Sequence, residues 1–226
     1  MEALWLSVRL AFCVSALLLA IGLPLGYWLA YSNWRWKFLV EGVVALPLVL
    51  PPTVLGFYAL LAMGSRGPLG ALWIQLFGHS LAFTFTGLIL ASLLYSLPFA
   101  VQPLVASFES IDPKLLAASA VLGAGKWRTF RRVILPLSAS GVLTAVVLSF
   151  AHTMGEFGVV LMVGGNLAGV TRTISIELYD HVQSLEYGAA TQLALILLLF
   201  SFAVLVVVYG LNRRVRQRVW MPWIAP

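Results

Sequence analysis

The sequence predicts an all-α, polytopic membrane protein with about five transmembrane helices. Of its 226 residues, 61% are hydrophobic and only 10% are charged, whereas a soluble domain carries about 25% charged residues. The apolar residues come in runs of about 20 or more, which is long enough to cross a hydrocarbon core of roughly 30 Å. Folding such runs in water would leave too little polar surface to cover them, so an ordinary soluble domain is excluded.

Polar and glycine- or proline-containing stretches divide the chain into five long apolar runs, which form one transmembrane domain over residues 1–226. A shorter run, 69–78, is too short to cross, and we expect it to lie in the interface or to re-enter the membrane. The first run lacks the basic start and the cleavage site of a signal peptide, which predicts a retained span. The five predicted spans are 5–31, 38–63, 80–107, 134–157 and 187–210.

Lys and Arg are distributed unevenly between the two sides of the predicted bundle. If five spans alternate in direction, all but three of the 14 Lys and Arg residues fall on one side. The three on the other side are Arg9, Arg66 and Arg172. Basic residues are enriched in cytoplasmic connections, so the sequence predicts an N-terminus outside and a C-terminus in the cytoplasm. This pattern explains the net charge of +6 without a nucleic-acid partner.

The longest predicted cytoplasmic connection, 108–133, has the pattern of a helix, a bend and a second helix. Asp112 can cap a helix that has Pro113 in its first turn. The small residues that follow favour a helix, and Gly123 and Gly125 terminate it. A basic segment then leads back to the membrane, ending at Pro136. Such a compact projection fits a groove on a partner protein.

This connection resembles the E-A-A-x3-G-x9-I-x-L-P loop of bacterial ABC importer permeases. Gly123 matches the glycine, and the I-x-L-P positions hold Val133, Ile134, Leu135 and Pro136. The E-A-A positions hold Ala117, Ala118 and Ser119, so the acidic residue is absent. The resemblance implies a type I importer permease fold, with this loop seated in a cleft of a separate ATPase subunit.

Two further segments resemble the molybdate branch of this family. The proline-rich segment 46–56 in the second span is the more discriminating of the two. The other begins with Gly155, Glu156, Phe157 and Gly158 and continues with Gly165, Asn166 and the segment 171–174. Sulfate and thiosulfate permeases share much of it, so tungstate, sulfate and thiosulfate stay open beside molybdate.

The resemblance implies an assembly in the bacterial inner membrane. Two copies of the chain would pair around a central pathway, with two cytoplasmic ATPase subunits on one side and a periplasmic oxyanion-binding protein on the other. Nucleotide binding would switch the pathway between inward-facing and outward-facing states. The chain has no G-x-x-x-x-G-K-[ST] phosphate loop, and we expect no catalytic, cofactor-binding or metal-binding residues in it.

Polar residues and prolines inside the predicted spans are the candidates for a pathway or gate. Pro51 and Pro52 break the second span, where Thr53 follows, while Thr153 and Glu156 lie in the fourth. Ionisable groups at membrane depth are functional candidates by default.

His152 and Glu156 are four residues apart, so they share a helix face near the outer end of the fourth predicted span. A structural or gating role is the favoured interpretation, because a glutamate on the pathway would repel an anion. The alternative is a proton relay in a proton-coupled secondary transporter. An intramembrane enzyme would need a partnered nucleophile motif, and the sequence shows none.

Two basic groups have predicted surface roles. Arg66 and Arg172 are either docking points for an acidic rim of the binding protein or ordinary solvated charges. The C-terminal cluster Arg213, Arg214, Arg216 and Arg218 is expected to anchor the chain at anionic membrane lipid.

Overall fold

The computed structural model of the chain describes the backbone of residues 2–220 and the side chains of residues 2–210. This part of the chain is helical and contains no β-strand. The helices are α1 Glu2–Tyr31, α2 Lys37–Val49, α3 Pro52–Met63, α4 Pro68–Phe77, α5 Phe85–Glu109, α6 Pro113–Val121, α7 Lys126–Thr129, α8 Leu135–Leu137, α9 Ala139–Gly155, α10 Gly158–Gly164, α11 Ile174–Gln183 and α12 Tyr187–Trp220. A π-helical turn, Phe130–Ile134, joins α7 to α8.

Helices α1, α5 and α9 pack against one another and form the centre of the bundle. Leu10, Leu18 and Leu88 are fully buried in their contact. Small residues set the spacing between these helices. A Cβ atom on Gly141 of α9 would lie 2.2 Å from the Cβ atom of Ser107 on α5. The two helix backbones therefore lie closer together than a side chain at position 141 would allow.

Three described helical segments are long and apolar enough to cross a membrane alone: α1, α5 and Tyr187–Gly210 of α12. Two bent pairs pass the same test when each pair is taken as one span, which raises the number to five. The pairs are α2 with α3, and the segment Lys126–Leu137 with α9.

The sharpest bend lies between α2 and α3, whose axes differ by 113°. Leu50 ends α2 with an extended backbone, at φ −73° and ψ 137°, and Pro51 continues the extension. A proline disfavours helical geometry in the residue before it, so two successive prolines stop α2 and start α3. The run 38–63 therefore forms two helices with a break at Leu50 and Pro51.

The second bend, of 72°, separates the segment Lys126–Leu137 from α9. Pro136 has no N–H to donate into the preceding turn, and the chain before it widens into a π-helical turn in which the Leu135 N–H donates to the Phe130 carbonyl oxygen. The predicted run 134–157 thus contains a bend at Ser138 and a further break at Glu156.

The short run 69–78 forms α4, a helix of 10 residues. Trp73 stacks on Phe77, with ring centroids 4.1 Å apart, and packs against the cluster around Met63. At the other end of the chain, α12 contacts α9 and α11 but leaves most of its apolar side chains exposed. The predicted lipid anchor, from Arg213 to Arg218, lies beyond the described side chains.

Candidate functional site

The break between α9 and α10 places a carboxylate inside the bundle. Helix α9 ends at Gly155, and Glu156 turns to an extended backbone at φ −61° and ψ 135° before α10 starts at Gly158. Glu156 is only 3% exposed. We call residues 152–158 the α9–α10 junction.

Two serines of α5 bind the two oxygens of this carboxylate. The Ser92 hydroxyl donates to Glu156 Oε2 over 2.5 Å, and the Ser96 hydroxyl donates to Oε1 over 2.6 Å. Both serines are fully buried. Hydrogen bonds to a charged acceptor are about twice as strong as neutral ones, so these two bonds fix the junction to α5.

Ser96 also connects the carboxylate to His152 and Thr153. Its Oγ lies 2.9 Å from His152 Nδ1 and 3.0 Å from Thr153 Oγ1. A serine hydroxyl has one proton, and here that proton goes to Glu156. The His152 ring stacks on Phe99 with a centroid distance of 3.9 Å, which fixes its plane.

His152 lies in the last turn of α9 and Glu156 directly follows its end. Ser92 and Ser96 lie well inside α5, which begins at Phe85. Helix α10 extends the chain past Glu156, and the Val163 carbonyl oxygen accepts from the Phe83 N–H beside the start of α5. The serines were not among the predicted residues. The signal that identifies them is their i, i+4 spacing in an apolar helix, which matches that of His152 and Glu156.

A cavity of about 480 Å³ opens beside the junction, and the N-terminal end of α3 forms its opposite wall. Pro52 and Thr53 line it together with His152 and Glu156. The two walls are in close contact, since a Cβ atom on Gly158 would lie 3.0 Å from Pro52 Cβ. Of the predicted pathway residues, Pro52, Thr53 and Glu156 therefore meet at one cavity. Thr153 is connected to Glu156 through Ser96, and Pro51 lies just before Pro52.

The predicted partner-binding connection folds as two helices, α6 and α7, which we call the α6–α7 hairpin (residues 113–129). Asp112 caps α6 by accepting from the Lys114 N–H over 2.8 Å. Gly123 has φ +73°, a left-handed conformation that favours glycine, and it reverses the chain. Gly125 has φ −66° and precedes α7.

The hairpin presents small and apolar side chains outward. Val121 is 88% exposed and Leu122 is 84% exposed, while Ala117 and Ala118 are also exposed. Ser119 faces inward, and its hydroxyl lies 2.8 Å from Thr129 Oγ1. The serine that replaces the last alanine of the E-A-A pattern thus links the two helices of the hairpin.

Arg172 and Arg66 differ in their surroundings. Arg172 Nε donates to Asn166 Oδ1 over 2.7 Å and lies 3.7 Å from Asp180 Oδ2. The Asn166 amide in turn donates to both Asp180 oxygens. Arg66 is exposed in the loop between α3 and α4. Arg172 is therefore part of an internal network, whereas Arg66 faces outward.

Comparison with known proteins gives consistent relatives over nearly the whole chain. Residues 22–217 match the family described as binding-protein-dependent transport system inner membrane component. The chain is 50% identical over 213 residues to the molybdenum transport system permease protein ModB of Azotobacter vinelandii, and the match covers 94% of each protein. It is 37% identical over 220 residues to the protein of the same name from Escherichia coli strain K12, covering 95% of this chain and 96% of that one.

Solved structures share the fold at low sequence identity. The bacterial alginate ABC transporter in complex with a pentasaccharide-bound periplasmic protein matches with a TM-score of 0.76 at 16% identity, covering 95% of this chain and 78% of that one. The inward-facing MetNI methionine ABC transporter matches with a TM-score of 0.73 at 18% identity, covering 94% of both chains. The all-α, importer-permease fold predicted from the sequence is confirmed. The chain belongs to the family of inner membrane components of binding-protein-dependent transport systems, as a permease subunit of an ABC importer.

Proposed function

We propose that this permease carries molybdate into the cell by alternating access, driven by separate ATPase subunits. The observation that carries the substrate assignment is the 50% identity to a molybdenum permease over 94% of the chain. Named molybdenum permeases of Haemophilus influenzae and Escherichia coli match over 97% and 95% of the chain, at 38% and 37% identity. In this proposal the chain moves the anion and carries out no bond chemistry.

The N-terminus faces the periplasm and the C-terminus the cytoplasm in this proposal. The distribution of Lys and Arg between the two sides supports this orientation. The α6–α7 hairpin then lies on the cytoplasmic surface, while the α9–α10 junction lies within the membrane between the hairpin and the periplasmic side.

The hairpin is the docking surface for the ATPase in this proposal. Val121 and Leu122 lie next to the Gly123 bend and expose almost their whole side chains, and Ala117, Ala118 and Gly125 leave room for a close partner. Exposed apolar groups gain free energy when a partner covers them, by about 25 cal/mol per Å². Pro136 lies at the end of the segment that links the hairpin to α9. A displacement of the hairpin is therefore transmitted to α9 through the bend at Ser138.

The α9–α10 junction and the start of α3 form the gate. Pro51 and Pro52 set the position of the α3 N-terminus, whose positive dipole end favours an anion, and Thr53 offers a hydroxyl beside it. Glu156 does not bind the anion, because its two oxygens are occupied by serine hydroxyls and its charge has the wrong sign. Its role is to hold the break in α9–α10 against α5, with Thr153 completing the contact through Ser96.

The assembly has two copies of this chain, two ATPase subunits and a periplasmic oxyanion-binding protein. The family description names a binding protein and an inner membrane location, and the alginate transporter structure contains a periplasmic protein on a permease of this fold. Exposed Arg66 is available to an acidic rim of such a protein. Arg172 forms an ion pair with Asp180 and is therefore the weaker candidate for contact with the binding protein.

The test is ATP hydrolysis by the reconstituted complex, stimulated by the binding protein loaded with molybdate, tungstate or sulfate. Stimulation by the molybdate-loaded protein that exceeds stimulation by the sulfate-loaded protein supports the proposal. The sulfate alternative rests on a 33% identity to a probable sulfate transport system permease protein of Chlorella vulgaris, and a higher rate with sulfate would favour it. Failure of any ATPase to co-purify with the folded chain would contradict the importer mechanism and favour the proton-coupled alternative.

A further inference from the structure

Arg9 is an exposed, charged residue in the N-terminal third of α1. It shares a helix face with Trp5 and Phe12, which are 70% and 69% exposed. Among the described residues, no carboxylate oxygen lies within 4.0 Å of its guanidinium group. The guanidinium group lies over the Phe85 ring, whose centroid is 4.6 Å from Arg9 Cζ. An arginine beside lipid is costly unless a counter-charge reaches it.

A cavity beside Arg9 also contains a negative charge. It measures about 370 Å³ and lies between α1, the start of α5 and the loop at 169–170. Glu2 and Arg9 line it on the α1 side, with Trp5 between them, and Phe85 and Val170 close the other side. The two charged groups do not form an ion pair with each other. The cavity therefore holds one free positive group and one free negative group, separated by an apolar ring.

We propose that this cavity binds the headgroup of a zwitterionic phospholipid, phosphatidylethanolamine. The guanidinium of Arg9 binds the phosphate, for which arginine offers paired N–H donors. The Glu2 carboxylate binds the primary ammonium group. Trp5, and Val170 at 46% exposure, lie beside the glycerol and the first part of the acyl chains.

The position of the two charges along α1 fits a headgroup at the membrane surface. Helix α1 has 30 residues, or about 45 Å at 1.5 Å per residue, whereas the hydrocarbon core is roughly 30 Å thick. Each end therefore extends about 7 Å beyond the core if the helix is centred. Arg9 follows Glu2 by about 10 Å, which places its Cα just inside the core. Its side chain runs back toward the helix N-terminus and brings the guanidinium to the phosphate layer.

The same site connects to a loop on this side of the bundle. The buried Ser7 hydroxyl of α1 accepts from the Ile174 N–H over 2.8 Å, and Gly169 reverses the loop at φ +74°. The Ser7–Ile174 hydrogen bond and the Gly169 turn leave a space between α1 and the loop. A bound headgroup fills this space. This inference needs the membrane setting of the proposed function but not its substrate.

The test is lipid retention by the purified complex, measured by native mass spectrometry after incubation with phosphatidylethanolamine or phosphatidylglycerol. The wild type is expected to retain phosphatidylethanolamine at least about tenfold better than phosphatidylglycerol. Arg9→Gln should lose retention of both lipids, and Arg9→Lys should keep part of it. Glu2→Gln should remove the preference between the two lipids, because only the ammonium contact is lost.

Arg66→Gln is the matched control, since Arg66 is an exposed arginine predicted on the same side of the membrane and lies outside this cavity. It should retain lipid like the wild type. Equal retention by wild type and Arg9→Gln would overturn the site, and so would an unchanged lipid preference in Glu2→Gln. A wild-type complex that retains no lipid there, because a second copy of the chain covers the cavity, would overturn it as well. The measurement uses neither nucleotide nor molybdate, so its outcome is independent of the transport assay.

Discussion

The α9–α10 junction and the α6–α7 hairpin use buried serine hydroxyls in different ways. At the junction, Ser92 and Ser96 are fully buried and bind the Glu156 carboxylate. In the hairpin, Ser119 is 8% exposed and links two helices through a neutral, part-buried bond to Thr129. A fully buried polar network is costly to disrupt because each broken bond leaves an unsatisfied group, whereas water can reach the partly exposed Thr129 when its bond is lost. The buried contacts of the junction therefore favour a single conformation, whereas the hairpin exposes a surface to which a partner can bind.

Helices α5 and α9 connect the two regions. Helix α5 carries Ser92 and Ser96 and ends at Glu109, just before the hairpin, while α9 runs from the bend at Ser138 to the junction. Their contact at Gly141 and Ser107 is too close for a side chain. Movement of the hairpin thus has a short, rigid route to the junction, as the proposed ATP-driven gate requires. The substitutions below test the junction and the hairpin separately, in decreasing order of expected effect.

Gly123→Pro should abolish association of the ATPase while leaving the chain in the membrane. Proline requires φ near −65°, whereas Gly123 has φ +73°, and the substitution removes the N–H that donates to the Ala120 carbonyl oxygen over 2.9 Å. A cost of about 3 kcal/mol or more weakens association by at least about 100-fold. Co-purification of the ATPase with the tagged permease measures it.

Gly42→Ala is the control for this substitution. Gly42 lies in α2, outside the hairpin, and a Cβ atom there meets nothing within 4 Å, so association should stay at the wild-type level. Normal association of the Gly123→Pro variant would remove the hairpin from the coupling mechanism.

Glu156→Ala should stop molybdate uptake while the ATPase still associates. It leaves the buried Ser92 and Ser96 hydroxyls without their acceptor, at a cost of about 1–3 kcal/mol for each unsatisfied group. A loss of about 3 kcal/mol lowers the population of the working junction about 100-fold. Uptake in proteoliposomes and co-purification are measured on the same preparation, with Glu41→Ala, at an exposed ion pair with Lys37, as the control.

Glu156→Gln distinguishes two roles for Glu156: holding the α9–α10 junction against α5, or relaying protons. Glutamine keeps the shape and one acceptor oxygen, so partial uptake is expected, with the pH dependence of the wild type. A proton carrier would instead lose all uptake in this variant, as in Glu156→Ala, and that result would favour the secondary-transporter interpretation.

Gly141→Val should destabilise the contact between α5 and α9. The added Cβ atom would lie 2.2 Å from Ser107 Cβ and 3.0 Å from the Pro103 carbonyl oxygen, which forces the helices apart at a cost of about 1–3 kcal/mol. Thermal denaturation in detergent should show a lower midpoint. Gly188→Ala, in open space on α12, should leave the midpoint unchanged, and an unchanged midpoint for Gly141→Val would contradict the close packing.

Much of the hairpin was predictable from the sequence because its signals are local. Asp112 and Pro113 mark the start of a helix and Gly123 marks its end, and each acts through the backbone geometry of its own position. The same is true of the helical fold class, since long apolar runs leave few alternatives. The E-A-A pattern also placed Ala117, Ala118 and Ser119 on one short helix.

The junction was harder to predict because its contacts are distant in sequence. Ser96 and Glu156 are separated by 60 residues, and nothing in the local sequence indicates that they pair. The prolines at 51 and 52 predicted a break, but the 113° angle between α2 and α3 depends on how α3 packs against α10. The short helix α10, which follows directly after Glu156, was also not predicted as a separate element.

Ser119→Ala should have the smallest effect. It removes the part-buried bond between Ser119 and Thr129 inside the hairpin, worth about 1 kcal/mol, and should weaken ATPase binding about fivefold. Thr129→Val should do the same, and the double variant should be no worse than either one, because both remove the same bond. Additive losses in a titration of ATPase binding would show that the two side chains act separately.

The central claim is that ATP hydrolysis on a partner drives molybdate through this chain. The most direct measurement is uptake of radiolabelled molybdate into proteoliposomes that contain the full complex and the loaded binding protein, with either ATP or a proton gradient as the energy source. We predict uptake with ATP alone, loss of uptake in Gly123→Pro, and no competition by excess sulfate. Uptake that follows the proton gradient and ignores ATP would contradict the account.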